Sequence, residues 1–196
     1  MSDQANPLLQ AFDLPPFSAI QPEHVKPAIE QLISECKQAI EQAVAEPTPT
    51  WESLVLATDI TDDRLGKAWS PVSHMNSVVS SDELRDAYES CLPMLSEYST
   101  WVGQHKGLYQ AFQKLADSDE YQTLNKAQKK VIDNALRDFK LSGVDLSEDK
   151  QKRYGEIQAR KSDISSKFSN NVLDATSAWQ KLITDEAELK GLPESA

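Results

Sequence analysis

The sequence predicts an all-α fold: a single multi-helix domain of about seven helices, with an extended N-terminal arm and at most one short strand near the C-terminus. Three observations lead there. Apolar residues recur every three or four positions through most of the 196-residue chain. Capping signals and prolines separate those stretches. Only six glycines and few long β-branched runs leave little material for a sheet.

Residues 1–21 carry Pro7, Pro15 and Pro16 together with Leu8, Leu9, Phe12, Leu14 and Phe17. Pro15-Pro16 excludes a helix there, so an extended arm is expected to lie in a groove that hides its apolar side chains. Val25, Ile29, Leu32, Ile33, Cys36, Ile40 and Val44 then mark one face of a helix ending near Glu46. Pro27 lies too deep for one smooth helix from Pro22, which predicts a turn first. Thr50 caps a second helix carrying Trp51, Val55, Thr58, Leu65 and Trp69, with Asp62 the odd residue in that stripe. Ser70-Pro71 is expected to open a short third helix through Val79.

Ser80-x-x-Glu83 reads as a capping box for a fourth helix through Leu84, Cys91, Leu95 and Val102, kinked at Pro93. Leu108, Phe112 and Leu115 mark a fifth. Asn125-x-x-Gln128 caps a sixth, with Val131, Ile132, Leu136 and Phe139 inward and Gly143 as its stop. Ser147 caps the longest, running to near Thr176, with Tyr154, Ile157, Ile164, Phe168, Val172 and Ala175 expected to face the other helices. Trp179, Leu182 and Ile183 form an extended or single-strand link, and Asp185-x-x-Glu188 caps one more turn. The expected organisation is an arm over 1–21, a helical domain over 22–177 and a link over 178–196. There, Gly191 followed by Pro193-Glu194 reads as the end of one helix and the start of the next, as in a piece of a longer protein.

Composition narrows the function classes. A net charge of -11 repels phosphate backbones and anionic lipid, so no nucleic-acid or membrane partner is expected. No apolar run approaches the ~20 residues of a membrane span, and Met1-Ser2-Asp3-Gln4 lacks the basic and apolar stretches of a secretory signal. Cys36 and Cys91 at core spacing read as reduced, buried thiols of a cytoplasmic protein.

Catalytic signals are absent. His24, His74 and His105 are too scattered for a zinc site, which on a helix needs two ligands about four apart. Gly-rich phosphate loops, nucleophile elbows and Cys-x-x-Cys pairs are missing. Among the acidic pairs, Asp62-Asp63 and Asp117 with Asp119 read as solvated charge. Asp62 alone is expected to be partly buried with a hydrogen-bonded partner, in a structural role. Trp51, Trp69, Trp101 and Trp179 are spaced as core anchors. No residue of this chain is therefore assigned as catalytic, cofactor-binding or metal-binding.

Longer strings go beyond periodicity. Asn6-Pro7-Leu8-Leu9, Leu14-Pro15-Pro16-Phe17, Pro22-Glu23-His24-Val25-Lys26-Pro27-Ala28, Ser70-Pro71-Val72-Ser73-His74 and Leu95-Ser96-Glu97-Tyr98 open a set of matches. Asp133-Asn134-Ala135-Leu136, Arg153-Tyr154-Gly155-Glu156-Ile157, Phe168-Ser169-Asn170-Asn171 and Thr184-Asp185-Glu186-Ala187 continue it. Together they resemble the N-terminal region of the thimet-oligopeptidase-like family of zinc peptidases. Members are several times longer, and a His-Glu-x-x-His helix with a downstream Glu holds their zinc. None of those residues occurs here, so none is carried over. The resemblance implies a helical region forming one wall and lid of a channel that admits short peptides and excludes folded proteins. The remaining catalytic domain of the same polypeptide would then be its partner, and the zinc would lie outside this chain, which would be inactive alone. The competing reading is a free-standing helical adaptor with a binding groove; an independent carboxylate hydrolase has almost no support. As such a piece, the chain is expected to leave apolar surface uncovered at Leu8, Leu9 and Phe12 of the arm and around Trp179 and Leu182.

Overall fold

Eight side chains of one helix, Val25, Ala28, Ile29, Leu32, Ile33, Cys36, Ile40 and Ala43, are buried, and the rest of the molecule is arranged around them. The computed structural model describes residues 6–193. Seven α-helices occur among these residues: α1 (Pro22–Ala45), α2 (Ala57–Val78), α3 (Asp82–Gly103), α4 (Lys106–Ala116), α5 (Asp119–Thr123), α6 (Lys126–Leu141) and α7 (Glu148–Ala178). The described residues contain no strand. Helices α2, α3 and α4 pack directly on α1. In turn α5 and α6 pack on α4, and α7 packs on α3.

The predicted count of seven is met, but by two compensating differences. The second and third predicted helices are one. A π-helical stretch over Trp51–Leu56, capped by Thr50, runs into α2, which passes through Pro71 without a break. Conversely, the short helix α5, capped by Ser118, was not foreseen. Likewise α1 starts at Pro22 and continues through Pro27, and α3 is continuous across Pro93. These prolines share one physical reason. Each removes the intrahelical donor to one carbonyl, that of Glu23, Lys67 or Glu89. The packing of the helix around it outweighs that loss, with Val25 and Ala28 buried beside Pro27, Ala68 and Val72 beside Pro71, and Cys91 beside Pro93.

The wide π turn also re-registers the second stripe. It holds an extra residue per turn, so Leu54, off the predicted stripe, is fully buried beside Val55. Beyond it, burial falls on Leu65, Ala68 and Val72, which leaves Asp62 exposed at the flank of the stripe.

Caps follow the predicted chemistry with small shifts. Asn125 and Gln128 exchange side-chain to backbone bonds at 2.9 and 3.0 Å. In α3 the N-cap is Ser81, one residue later than predicted, and its Oγ accepts the Leu84 N–H. Ser147 holds the N-cap position of α7 with no side-chain cap bond. Gly143 stops α6 at φ +87°, where a Cβ would be strained and would meet Leu146 at 2.7 Å. The Gly143 N–H then reaches the Lys140 carbonyl, and the Val144 N–H reaches that of Phe139. This pair of bonds is the Schellman closure.

The arm is better seated than predicted. Pro7–Leu9 forms a 3-10 turn whose Leu8 is buried and whose Leu9 packs on the core, and Phe12 is half-buried, so the uncovered surface expected at these three residues is not found. Asn6 accepts the Leu8 N–H and donates to the His24 carbonyl at 2.8 Å. Ile20 is buried at the other end, whereas Leu14 and Phe17 stay exposed. Trp179 and Leu182 are exposed, in a link without regular structure before a last 3-10 turn (Glu186–Leu189). This meets the expectation of uncovered surface there but corrects the reading of Trp179 as a core anchor. The helix start read at Pro193-Glu194 lies outside the described residues.

The core prediction is sharpest on α6, where Ile132 is fully buried and Val131, expected inward, is exposed. Ile132→Ala should cost about 2–5 kcal/mol of stability through lost burial and a cavity. Val131→Ala should stay within about 0.5 kcal/mol, as for a surface change. Denaturant unfolding of the two variants measures both.

Candidate functional site

Asp62 does find the partner its position called for. Tyr98, buried on α3, donates its hydroxyl to Asp62 Oδ1 at 3.1 Å, and the Cys36 thiol donates to the Thr61 carbonyl at 3.3 Å close by. On paper, thiol, phenol and carboxylate could make a nucleophile with an acid and a base. Burial argues otherwise: it raises the Cys36 thiol above its ordinary value and pushes the Tyr98 phenol far up. Both stay protonated at neutral pH, and a protonated, buried thiol is a poor nucleophile. Cys91 is likewise buried and raised by burial. The group joins α1, α2 and α3, and its chemistry is structural.

Each histidine is spent on local structure. The Nδ1 of His24 accepts the Gln21 N–H at 3.1 Å at the start of α1. At the start of α4, Nδ1 of His105 accepts the Leu108 N–H at 2.9 Å, while its Nε2 lies 3.2 Å from Glu41. The ring of His74 lies against Phe17, with centroids 5.8 Å apart. No group of three His, Cys, Asp or Glu among the described residues is placed to hold a metal. The donor set that a catalytic zinc needs does not fit the residues present.

The most distinctive surface lies between α3 and α7. Two open clefts of about 380 and 180 Å³ share Leu92, Ser96 and Ser162. The larger has hydroxyls from Ser99, Thr100, Ser142 and Ser165 around Trp69. Its lining includes no carboxylate, imidazole or thiol, and its titratable side chains are those of Tyr154 and Lys161. In the smaller cleft, Asp163 is held below the usual carboxylate range by Lys167 and Arg160, which keeps it an ion-pair partner.

α7 is pinned at two places by polar bonds. At its first turn, Gln151 Nε2 donates to the Gly143 and Val144 carbonyls, both at 3.1 Å. Gln104 Nε2 donates to the carbonyls of Ser142 and Gln151 at 3.2 and 3.3 Å. Near its last turns, Arg85 grips Asp174 with two bonds of 2.8 and 3.1 Å, and Asn170 donates to Glu89. Sequence reasoning missed these bonds, because Arg85 and Asp174 lie 89 positions apart with no local signal. It also placed the α7 stripe inward. In the structure α7 has no buried residue, and Ile157, Ile164, Phe168 and Val172 are exposed.

Comparison with known proteins places this arrangement. Residues 29–151 match the model of the neurolysin/thimet oligopeptidase N-terminal domain. The chain is 62% identical to oligopeptidase A of Haemophilus influenzae over 98% of its own length, and that match covers 28% of the relative. With oligopeptidase A of Escherichia coli it shares 60% identity over 97% of its length and 28% of the relative. A probable cytosolic oligopeptidase A of Arabidopsis thaliana is 36% identical over 98% of the chain and 27% of the relative. The chain thus spans little more than a quarter of the length of these relatives.

The Arg85–Asp174 clamp has a definite pH dependence. The hydrogen bond from Arg85 holds the Asp174 carboxyl below its ordinary value. Its contribution is therefore complete above the unfolded carboxylate value of about 3.9 and is lost as pH falls through the lower folded value. Amide signals of residues 170–178 should report the release in an acid titration. Asp174→Asn should loosen the same residues at neutral pH and flatten the titration; unchanged protection would contradict the clamp.

Proposed function

The chain belongs to the neurolysin/thimet oligopeptidase family, and from that premise we propose that it is the N-terminal helical region of a longer, zinc-dependent oligopeptidase that cleaves short peptides. The observation carrying this reading is 62% identity over nearly the whole chain to a protein named oligopeptidase A, of which it matches only 28%. The reactive centre would then lie in the rest of the polypeptide, which would hold the zinc and supply its Lewis-acid chemistry. This region's role is exclusion and positioning. Its helices form one wall and lid of the channel, limiting access and holding an extended peptide near the metal. The capping roles of His24 and His105 and the burial of Cys36, which keeps its thiol protonated, support that division of labour.

A cytoplasmic location accompanies the reading. Among the described residues no helix is long and apolar enough to cross a membrane. Both cysteines are free and buried, which suits a reducing compartment. Short peptides are the proposed substrates; the acidic surface makes nucleic acid an unfavourable partner.

The test is a peptidase assay on the full reading frame and on residues 1–196 alone, with and without a chelator. The full protein should hydrolyse a short quenched peptide and lose that activity to the chelator. Residues 1–196 should neither hydrolyse it nor retain stoichiometric zinc. Inactivity of the full frame would favour the adaptor reading. Within the active protein, Asp62→Ala should lower the melting temperature, because it strands the Tyr98 hydroxyl, while turnover stays within several-fold. A thousandfold loss with the fold intact, about 4 kcal/mol at 1.4 kcal/mol per decade, would make this region a contributor to the chemical step.

A further inference from the structure

α7 packs in the reverse of the usual sense. At about 100° per residue, Gly155, Ala159, Ser162 and Ser166 fall in one arc and Ile157, Ile164, Phe168 and Val172 in another, with centres roughly 150° apart. The small, polar arc is the one on α3: Gly155 approaches Thr100, and Ala159, Ser162 and Ser166 line the cleft against Leu92 and Pro93. The apolar arc points away from every other helix, its four side chains between 49% and 69% exposed. An amphipathic helix normally buries its apolar face first. Here small residues and the polar pins at Gln151 and Asp174 hold it the other way round.

We propose that this outward face is a seam on which the rest of the same polypeptide docks, so that α7 is sandwiched between α3 and the catalytic portion. The inference rests on the reading of the chain as the N-terminal region of a longer peptidase. Three observations select that occupant. The relatives carry nearly three-quarters of their length beyond what this chain matches, so further polypeptide is at hand. The link beginning at Trp179 leaves α7 directly from this helix, and its Trp179 and Leu182 are 74% and 88% exposed, continuing the uncovered apolar surface. A second copy is the poorer occupant, because two chains of net charge -11 repel each other.

The seam predicts accessibility in the full-length protein. Phe168→Cys and, separately, Ile164→Cys should react with a maleimide at least about tenfold more slowly than Lys130→Cys on the exposed face of α6, because covered sites react only through opening. Two positions guard against one substitution disturbing the fold. Rates equal to Lys130→Cys at both positions would overturn the seam. So would protection that fades on dilution, which would assign the face to a second copy. Peptide hydrolysis by the same variants separates the two ideas. Active protein with freely reacting Phe168→Cys sinks the seam alone, whereas inactive wild-type protein sinks the functional reading.

Discussion

Burial of α1 is the constraint on which the rest of the molecule depends. Ile29, Leu32, Cys36 and Ile40 are all essentially inaccessible, and it takes α2, α3 and α4 together to cover the broad face to which they belong. Each large apolar side chain removed from water contributes about 1.5–3 kcal/mol. That makes α2, α3, α4, the π stretch and the Pro7–Leu9 turn gather around it. Everything further out is attached at second hand: α5 and α6 through α4, and α7 through α3. The hierarchy explains why burial falls off toward α7, which buries no residue at all.

Most of the helical architecture could be read from the sequence because its signals are local. The cap at Thr50, the Asn125–Gln128 box, the Gly143 stop and the apolar spacing of α1 each act within a turn or two. The errors came where a local rule met a non-local circumstance. Prolines 27, 71 and 93 looked like breaks because the rule does not know how much packing the helix around each gains. Leu54 was missed because a π turn shifts the 3.6-residue count. Val131 and the α7 stripe were assigned inward because periodicity identifies an apolar face without saying what lies opposite it.

For the candidate site, the sequence was informative about one side chain. Asp62 was singled out by its place in an apolar stripe, and Tyr98 proved to be its partner. The pins of α7, Gln104, Gln151, Arg85 and Asp174, carried no local signal because pairing across the fold created them. The pins hold a long helix with its small residues on α3 and its large apolar residues exposed.

Native-state hydrogen exchange on residues 1–196 tests this hierarchy most directly. If burial of α1 organises the fold, its central amides around Leu32 and Cys36 should exchange only through global unfolding. Those of α7 should open at a distinctly lower free energy, as a separate unit held by its polar pins. Protection in α7 equal to that in α1 would contradict the claim, because it would make the outermost helix part of the same cooperative core.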